Sequence, residues 1–421
     1  MIIMYRKMVN YVIISLGSEL MEKVKCLRLD HFGRGIAYID KKIVFVNNLL
    51  PSEEAFIEII GSKKKYSVGK IVDLEKESTD RVIPKCPYLN CGCALKHLKY
   101  EKQLLFKEEK VRDIIKRYTH IDTKINKIIP SKNINNYRNK ITLKVDGFVG
   151  YYENGTNKVI TIDKCFLASE KMNEIIKKLN TMDLSKVHEI TIKEFDGVML
   201  IIKGCLDIEP LKGLVNTIYM DDKLLYGDEY VKTKIKDLTF NVSKDAFFQV
   251  NSYMVEKLYD KALEYLQNAK DKKVLDLYCG TGTITLLLSK YFKEVIGVEI
   301  NKEAIECANL NKEINGVENV SFICGDVSKI INDLKADIIV VDPPRSGLSK
   351  EGIEDIIKIG PEKIVYISCD PMTLARDLNI LSDDYIVKEI TPVDMFPNTY
   401  HVECVCLLER CHALIKQEQS N

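Results

Sequence analysis

The sequence predicts an α/β protein in which a parallel sheet wound with helices fills the C-terminal part, behind a small all-β barrel and a β-rich middle. Three observations predict it. From Lys273 onward, apolar strands alternate with helical stretches: KVLDLY, TITLLLSKYF, EVIGVEI, EAIECANLNKEI, VSFIC, ADIIVVD and KIVYIS. That order implies parallel strands joined by helical crossovers. From Lys23 to about Glu77, short runs such as VKCLRL, GIAYI, KIVFV and AFIEII are separated by turn residues, the pattern of a barrel of short strands. Strand-like runs resume at Lys140 to Val145 and continue to about Phe240.

The 421 residues, 46% of them hydrophobic, suffice for several domains with their own cores and exclude a disordered or fibrous chain. Lys and Arg number 62 against 61 Asp and Glu, so a net charge of +1 gives no overall pull toward nucleic acid, and any such binding must come from local patches. Thirteen cysteines, an odd number in a chain this long, fit a reduced cytoplasmic protein better than a disulfide framework. The opening MIIMYRKMVNYVIISL is too short and too interrupted to span a bilayer, so residues 1–20 read as an extension ahead of a domain that opens at Met21.

The barrel carries Lys63, Lys64, Lys65, Lys70 and Tyr66 near one hairpin, which suits phosphate binding with base stacking or simply a solvated turn. A cysteine-rich loop, CPYLNCGCALKHL, precedes a helix from about Tyr100 to Arg117 with Leu104, Leu105, Val111, Ile114 and Ile115 on one side. A second helix is expected over Ser252 to Leu266.

The chemistry-bearing residues gather at strand ends. DLYCGTG, Asp276 to Gly282, follows a strand and opens a helix, so a turn through Gly280 can bring backbone N–H groups to a ligand at the carboxyl edge of the sheet. The third glycine of a dinucleotide fingerprint is missing. Glu299 ends the next strand, 23 residues beyond Asp276, where a carboxylate can accept from both hydroxyls of a ribose. Asp326 follows the third strand, and DPPRSGL begins with Asp342 at the end of the fourth, on a turn stiffened by Pro343 and Pro344 with carbonyls available to a ligand.

Cys369 lies where the strand KIVYIS leaves the sheet, with Pro371 and a new helix just beyond, a setting that can lower a thiol's pKa. Cys205, Cys307, Cys324, Cys404 and Cys406 read instead as small buried hydrophobes. Glu403 stands among apolar strand residues, either as a buried general base or as a solvent-facing edge carboxylate.

In this order, FFQVN at Phe247 to Asn251, DLYCGTG, VDPPRSGL, YISCDPMTLARD and FPNTYHVE closely resemble the RNA uracil-5 methyltransferases that act on ribosomal or transfer RNA. The resemblance covers nearly the whole chain from Met21. It implies a Rossmann-like domain that uses S-adenosylmethionine, with Cys369 as nucleophile, Glu403 as base, and Gln249, Tyr278, Gly280, Glu299 and Asp342 at the cofactor. It also implies an OB-like TRAM barrel that holds RNA. The expected division is an extension over 1–20, the barrel over 21–78, a central domain over 79–98 and 130–245, and the methyltransferase domain over 99–129 and 246–421. Arg138 and Lys140, in YRNKITLKV, become candidate phosphate contacts.

Cys86, Cys91, Cys93 and Cys165 match the family's four ligands of an iron–sulfur cluster (4Fe-4S), although thiolates also suit zinc. One glycine separates Cys91 from Cys93 where the family has two, and Cys86 is one residue closer than usual. Barrel and cysteines together imply a uridine of 23S ribosomal RNA as substrate, methylated by a monomer with no membrane or DNA partner. Two rivals stand beside this: the same reaction at uridine 54 of transfer RNA, and a non-catalytic RNA-binding iron–sulfur protein.

Overall fold

The computed structural model describes residues 21–267, 270–326 and 334–411, so the proposed 1–20 extension lies outside the described residues. Its contacts divide the chain into two units. The smaller takes the described part of Met1–Pro84 with Gly92–Lys99 and Asn398–Tyr400. Its six strands lie in the order Glu22–Lys25, Glu54–Ser62, Tyr66–Lys76, Lys42–Val46, Gly35–Ile39 and Arg28–Leu29. Alternation sends Val24, Val44, Val46, Ala55 and Ile57 into one core. The hairpin lysines Lys63, Lys64, Lys65 and Lys70 are all exposed. Beside them Arg34 lies over Phe45 at 4.3 Å, Phe45 meets Tyr66 edge-on at 5.5 Å, and Lys63 lies 5.8 Å from the Tyr66 ring.

The larger unit is Lys85–Cys91, Tyr100–Pro397 and His401–Asn421. It contains a seven-stranded sheet whose middle strands, Lys140–Asp146, Val187–Glu194 and Val198–Gly204, pair antiparallel. The helix Glu170–Leu179, capped by the Ser169 hydroxyl, buries Met172, Ile175, Ile176 and Leu179 against that sheet.

Beside a two-stranded hairpin, Val231–Ile235 with Leu238–Val242, stands an eight-stranded sheet in the order Val320–Cys324, Glu294–Glu299, Lys273–Leu277, Ile338–Val341, Lys363–Ser368, Glu403–Arg410, Tyr385–Val393 and Lys124–Ile125. The first five run parallel. Both faces are covered: Val274, Val340, Val365, Ile367 and Val405 enter one core, while Leu275, Ile339, Ile364, Tyr366 and Cys404 enter the other. Period-two alternation within continuous apolar runs is what two buried faces require. Each fully buried Ile or Val here contributes about 2 kcal/mol.

Glu403–Arg410 is antiparallel to the Lys363–Ser368 strand beside it, with Ser368 opposite Cys404. The reversal places the beginning of this strand, Glu403, at the edge where the parallel strands end. Several sequence expectations shift in detail. The helix after DLYCGTG is only Thr283–Leu288, and Leu105 is 50% exposed instead of facing the core of Tyr100–Tyr118. The buried side of that helix instead includes Gln103 and Lys107 beside Val111, Ile114 and Ile115. Among the described residues no helix is long and apolar enough to cross a membrane.

Candidate active site

Tyr278, Gly280, Glu299, Asp342, Cys369 and Glu403 lie at the carboxyl edge of the parallel run in the eight-stranded sheet or on the turns leaving it, while Gln249 stands between the strand Leu238–Val242 and the helix Ser252–Tyr265. Lys273–Leu277 runs into Tyr278 at φ 64°, Gly280 at φ 53° and Gly282 at φ 79°, the last capping Thr283–Leu288. A tyrosine in the left-handed region is a strained choice, and such strain concentrates at functional sites. A side chain on Gly282 would meet the Phe322 ring at 2.6 Å, so the turn must be bare there. Nothing lies within 4 Å of the space a Gly280 side chain would fill, leaving its backbone open to a ligand.

Glu299 accepts from Gly280 N at 3.3 Å and from Asn301 N at 2.9 Å, which fixes its carboxylate at the strand end. Beside it is a cavity of about 240 Å³ lined by Tyr278, Glu299, Ile300, Asp326 and Gly352 among others. A carboxylate, a second acid and an apolar wall suit a ribose carrying a flat base.

Deeper along the edge, the carboxylates of Asp276, Asp342 and Glu403 collect with no ion pair to any of them among the described residues. Burial, countered in part by the Gln249 side-chain hydrogen bond, pushes the Asp342 carboxyl up to about 7. Burial also pushes Asp276 up to about 7, with the Thr285 hydroxyl, 2.6 Å away, pulling down and the charge of Asp342 adding to the rise. Glu403 is 2% exposed; burial and then the charge of Asp342 raise it well above the ordinary carboxylate range. One oxygen of Glu403 and one of Asp276 have no hydrogen-bond partner. Desolvated acids of this kind favour a proton or a positively charged ligand. The sulfonium of S-adenosylmethionine supplies such a charge, so these residues fit that cofactor.

Cys369 is half-buried, between the Lys363–Ser368 strand and the helix Pro371–Leu381, which Asp370 caps at Met372 N. Burial first, then the charges of Glu403 and Asp342, push its thiol up to about 12, while Arg345 pulls it down. The helix terminus therefore does not acidify this thiol as the sequence suggested: burial first, and then the neighbouring acids, push it the other way. Arg345 is itself drawn toward Asp370, at 3.6 Å.

Two supporting networks escape the sequence reading. Asp377 accepts from Tyr366 Oη at 2.7 Å and Leu348 N at 2.8 Å, while Arg376 donates to the carbonyls of Ser346 and Leu348 at 3.0 and 2.8 Å. Together they hold the turn after Asp342. That turn is also closed by the Pro344 carbonyl, which accepts from Gly347 N at 2.8 Å. In the second network, Lys107 and Asp394 form a fully buried ion pair at 2.5 Å, Lys107 donates to Phe396 O at 2.9 Å, and Tyr100 donates to Asp394 at 2.7 Å. Tyr137 donates to Pro397 O at 3.0 Å. The sequence signal for Lys107 was its place at helical spacing with Gln103 and Val111.

Cys86, Cys91, Cys93 and Cys165 are half-buried thiols outside any disulfide. Among the described residues no three His, Cys, Asp or Glu side chains are grouped to hold a metal ion, so no chemistry is derived through a cluster. Cys307, Cys404 and Cys406 are buried as expected, but Cys205 and Cys324 are exposed. Each of those two stands at or just past the end of a strand, where the backbone leaves its cover. Arg138 opens the seven-stranded region with its Nε buried and unpartnered, and Lys140 begins a strand of that sheet.

A sequence profile for tRNA (uracil-5-)-methyltransferase matches residues 215–411, and one for the TRAM domain matches 22–72. An uncharacterised RNA methyltransferase of Clostridium tetani is 37% identical, over 89% of this chain and 93% of its own length. Another, from Oceanobacillus iheyensis, is 36% identical over 90% and 94%. The crystal structure of the Pyrococcus abyssi tRNA (uracil-54, C5)-methyltransferase, in complex with S-adenosyl-L-homocysteine, superimposes with a TM-score of 0.75 at 28% identity. It covers 93% of this chain and 100% of that one.

Proposed function

Since this chain belongs to the family of S-adenosylmethionine-dependent RNA uracil-5 methyltransferases, we propose that it methylates C5 of a uridine in 23S ribosomal RNA, with Cys369 as nucleophile and Glu403 as base. The observation that carries the reading is the meeting of strand ends: antiparallel insertion of Glu403–Arg410 beside Lys363–Ser368 brings a desolvated carboxylate, one oxygen of which has no hydrogen-bond partner, to the edge that Cys369 leaves.

C5 of uracil is a weak nucleophile. The Cys369 thiolate adds to C6, and the C5–C6 π electrons move to C5 and the O4 enolate. Bound S-adenosylmethionine would supply the methyl group: C5 forms its new bond to the methyl carbon as the methyl–sulfur bond breaks, its electron pair staying on sulfur to leave S-adenosylhomocysteine. Glu403 then takes the proton from C5, the C5–C6 double bond re-forms, and the bond from C6 to sulfur breaks to return the thiolate. A high proton affinity suits Glu403 to that task. A positive charge bound beside Asp342 offsets the acids that hold the Cys369 thiol protonated. Since the thiol approaches the ring face, the target base must be unstacked or drawn from a single-stranded loop.

In this reading Glu299 holds the ribose, Tyr278 and Gly280 border the cofactor, and Gln249 and Asp342 face its reactive end. The half-buried Arg34, Phe45 and Tyr66, with the exposed Lys63, serve single-stranded RNA. Four thiols at Cys86, Cys91, Cys93 and Cys165 have the donor chemistry for an iron–sulfur cluster of structural role, checked by iron and sulfide analysis of anaerobically purified protein. Uridine 54 of transfer RNA is a second reading, favoured by the Pyrococcus abyssi neighbour. Methylation of unmodified 23S ribosomal RNA and unmodified transfer RNA side by side, followed by nucleoside analysis, separates them. Methyluridine in transfer RNA alone would sink the ribosomal assignment.

A further inference from the structure

Lys193, on the strand Val187–Glu194, is 2% exposed, and among the described residues no carboxylate lies within ion-pairing distance of it. Its ammonium donates instead to three backbone carbonyls: Ser243 at 3.0 Å, Lys244 at 2.8 Å and Ala246 at 3.0 Å. An ammonium has three N–H donors, and all three are used. Burying a charge without a counter-ion is costly, and a methionine would fill the space more cheaply. What the charge accomplishes is to gather carbonyls from a stretch that belongs to neither helix nor strand.

That stretch leads directly into Phe247–Phe248–Gln249. At its far end Asn139 Nδ2 donates to Gln249 O at 3.0 Å and Ser252 Oγ at 2.8 Å, and Asn139 N donates to Val250 O at 2.9 Å. Between the two clamps, Phe248 packs edge-on against Phe195 at 5.6 Å and Phe240 at 5.9 Å. The Gln249 side chain, so delivered, stands close enough to Asp342 to lower the proton affinity of its carboxyl.

We propose that Lys193 is a positioning residue for the cofactor site: by gripping the Ser243–Ala246 turn from the seven-stranded sheet, it sets where Gln249 meets Asp342. This rests on the reading that Gln249 and Asp342 border the cofactor. The effect belongs to cofactor binding and not to the covalent step, since Lys193 touches neither Cys369 nor Glu403. Burial, and then the charge of Lys140, lower the Lys193 ammonium to about 7, but the grip itself is the three N–H bonds to carbonyls, and its loss is expected to raise KM for S-adenosylmethionine about tenfold.

The experiment compares K193M, Q249A and the double variant with the wild-type chain, reading KM for S-adenosylmethionine, kcat, and S-adenosylhomocysteine binding by calorimetry. K193M is expected to raise KM and weaken S-adenosylhomocysteine binding while kcat stays within about twofold, and to add little on top of Q249A. If K193M does not fold, K193Q, which keeps two donors, is read in the same way. A Lys193 variant that loses thermal stability but leaves KM unchanged, where Q249A raises it, overturns the proposal. If Q249A itself leaves KM and binding unchanged, the reading of Gln249 fails and the inference falls with it.

Discussion

The carboxylates of Asp394 and Glu403 are both sealed from water, at 0% and 2% exposure, yet they are treated in opposite ways. Asp394 has an ammonium and a phenol on its two oxygens. Glu403 has an oxygen with no partner and another acid, Asp342, for an electrostatic neighbour. A buried charge that is fully paired is scaffold, costly to break but inert. One left unpaired is a cost the fold bears only where something else is to bind or react. The contrast separates support from chemistry more sharply than burial does.

The comparison breaks most visibly at Cys369. C369S is expected to lose on the order of 10⁴-fold or more in turnover, as nucleophile deletions do elsewhere, with its thermal midpoint unchanged; tritium release from C5-labelled RNA checks it. Next, E403Q is expected to slow turnover by roughly 10²–10⁴-fold without destabilising the chain. Because addition precedes proton removal, it should also trap a protein–RNA adduct visible on a denaturing gel. Absence of the adduct with normal RNA binding would remove Glu403 from the base role.

On the scaffold side the expected loss is of stability. K107M leaves Asp394 charged and unpaired in a dry site, which costs about 3–5 kcal/mol, read by chemical denaturation; K107M/D394N should recover part of it. The smallest effect sharpens the contrast through pH. The folded-state value of Asp342, about 7, lies above its ordinary 3.8. Between those values the native state therefore holds a proton that the unfolded chain has released. The stability it contributes is full below pH 3.8 and is lost as pH rises through 7. D342N should flatten that slope in thermal melts taken between pH 5 and 8, whereas D394N should not.

What the sequence made legible follows the range over which each signal acts. The parallel strands and the turns that end them are local patterns, and Asp276, Glu299, Asp342 and Cys369 all stand where their strands stop. Lys107 and its partner are separated by 287 residues, so nothing in the neighbourhood of either announced a buried ion pair. Lys193 is hidden in the same way, since carbonyls leave no mark in the sequence. The acidity of Cys369 was misjudged because a helix terminus is visible locally, whereas the burial that raises its thiol, and the acids that add to the rise, arrive from other strands.

The strand Glu403–Arg410 lies between two strands that both precede it in the chain. During synthesis the sheet therefore has a vacant lane until residues near 410 have emerged from the ribosome, and the strands flanking it wait with unpaired edges. A nascent chain can complete its seven-stranded sheet well before it can assemble this one. A copy that stops short of this strand cannot present Glu403 beside Cys369.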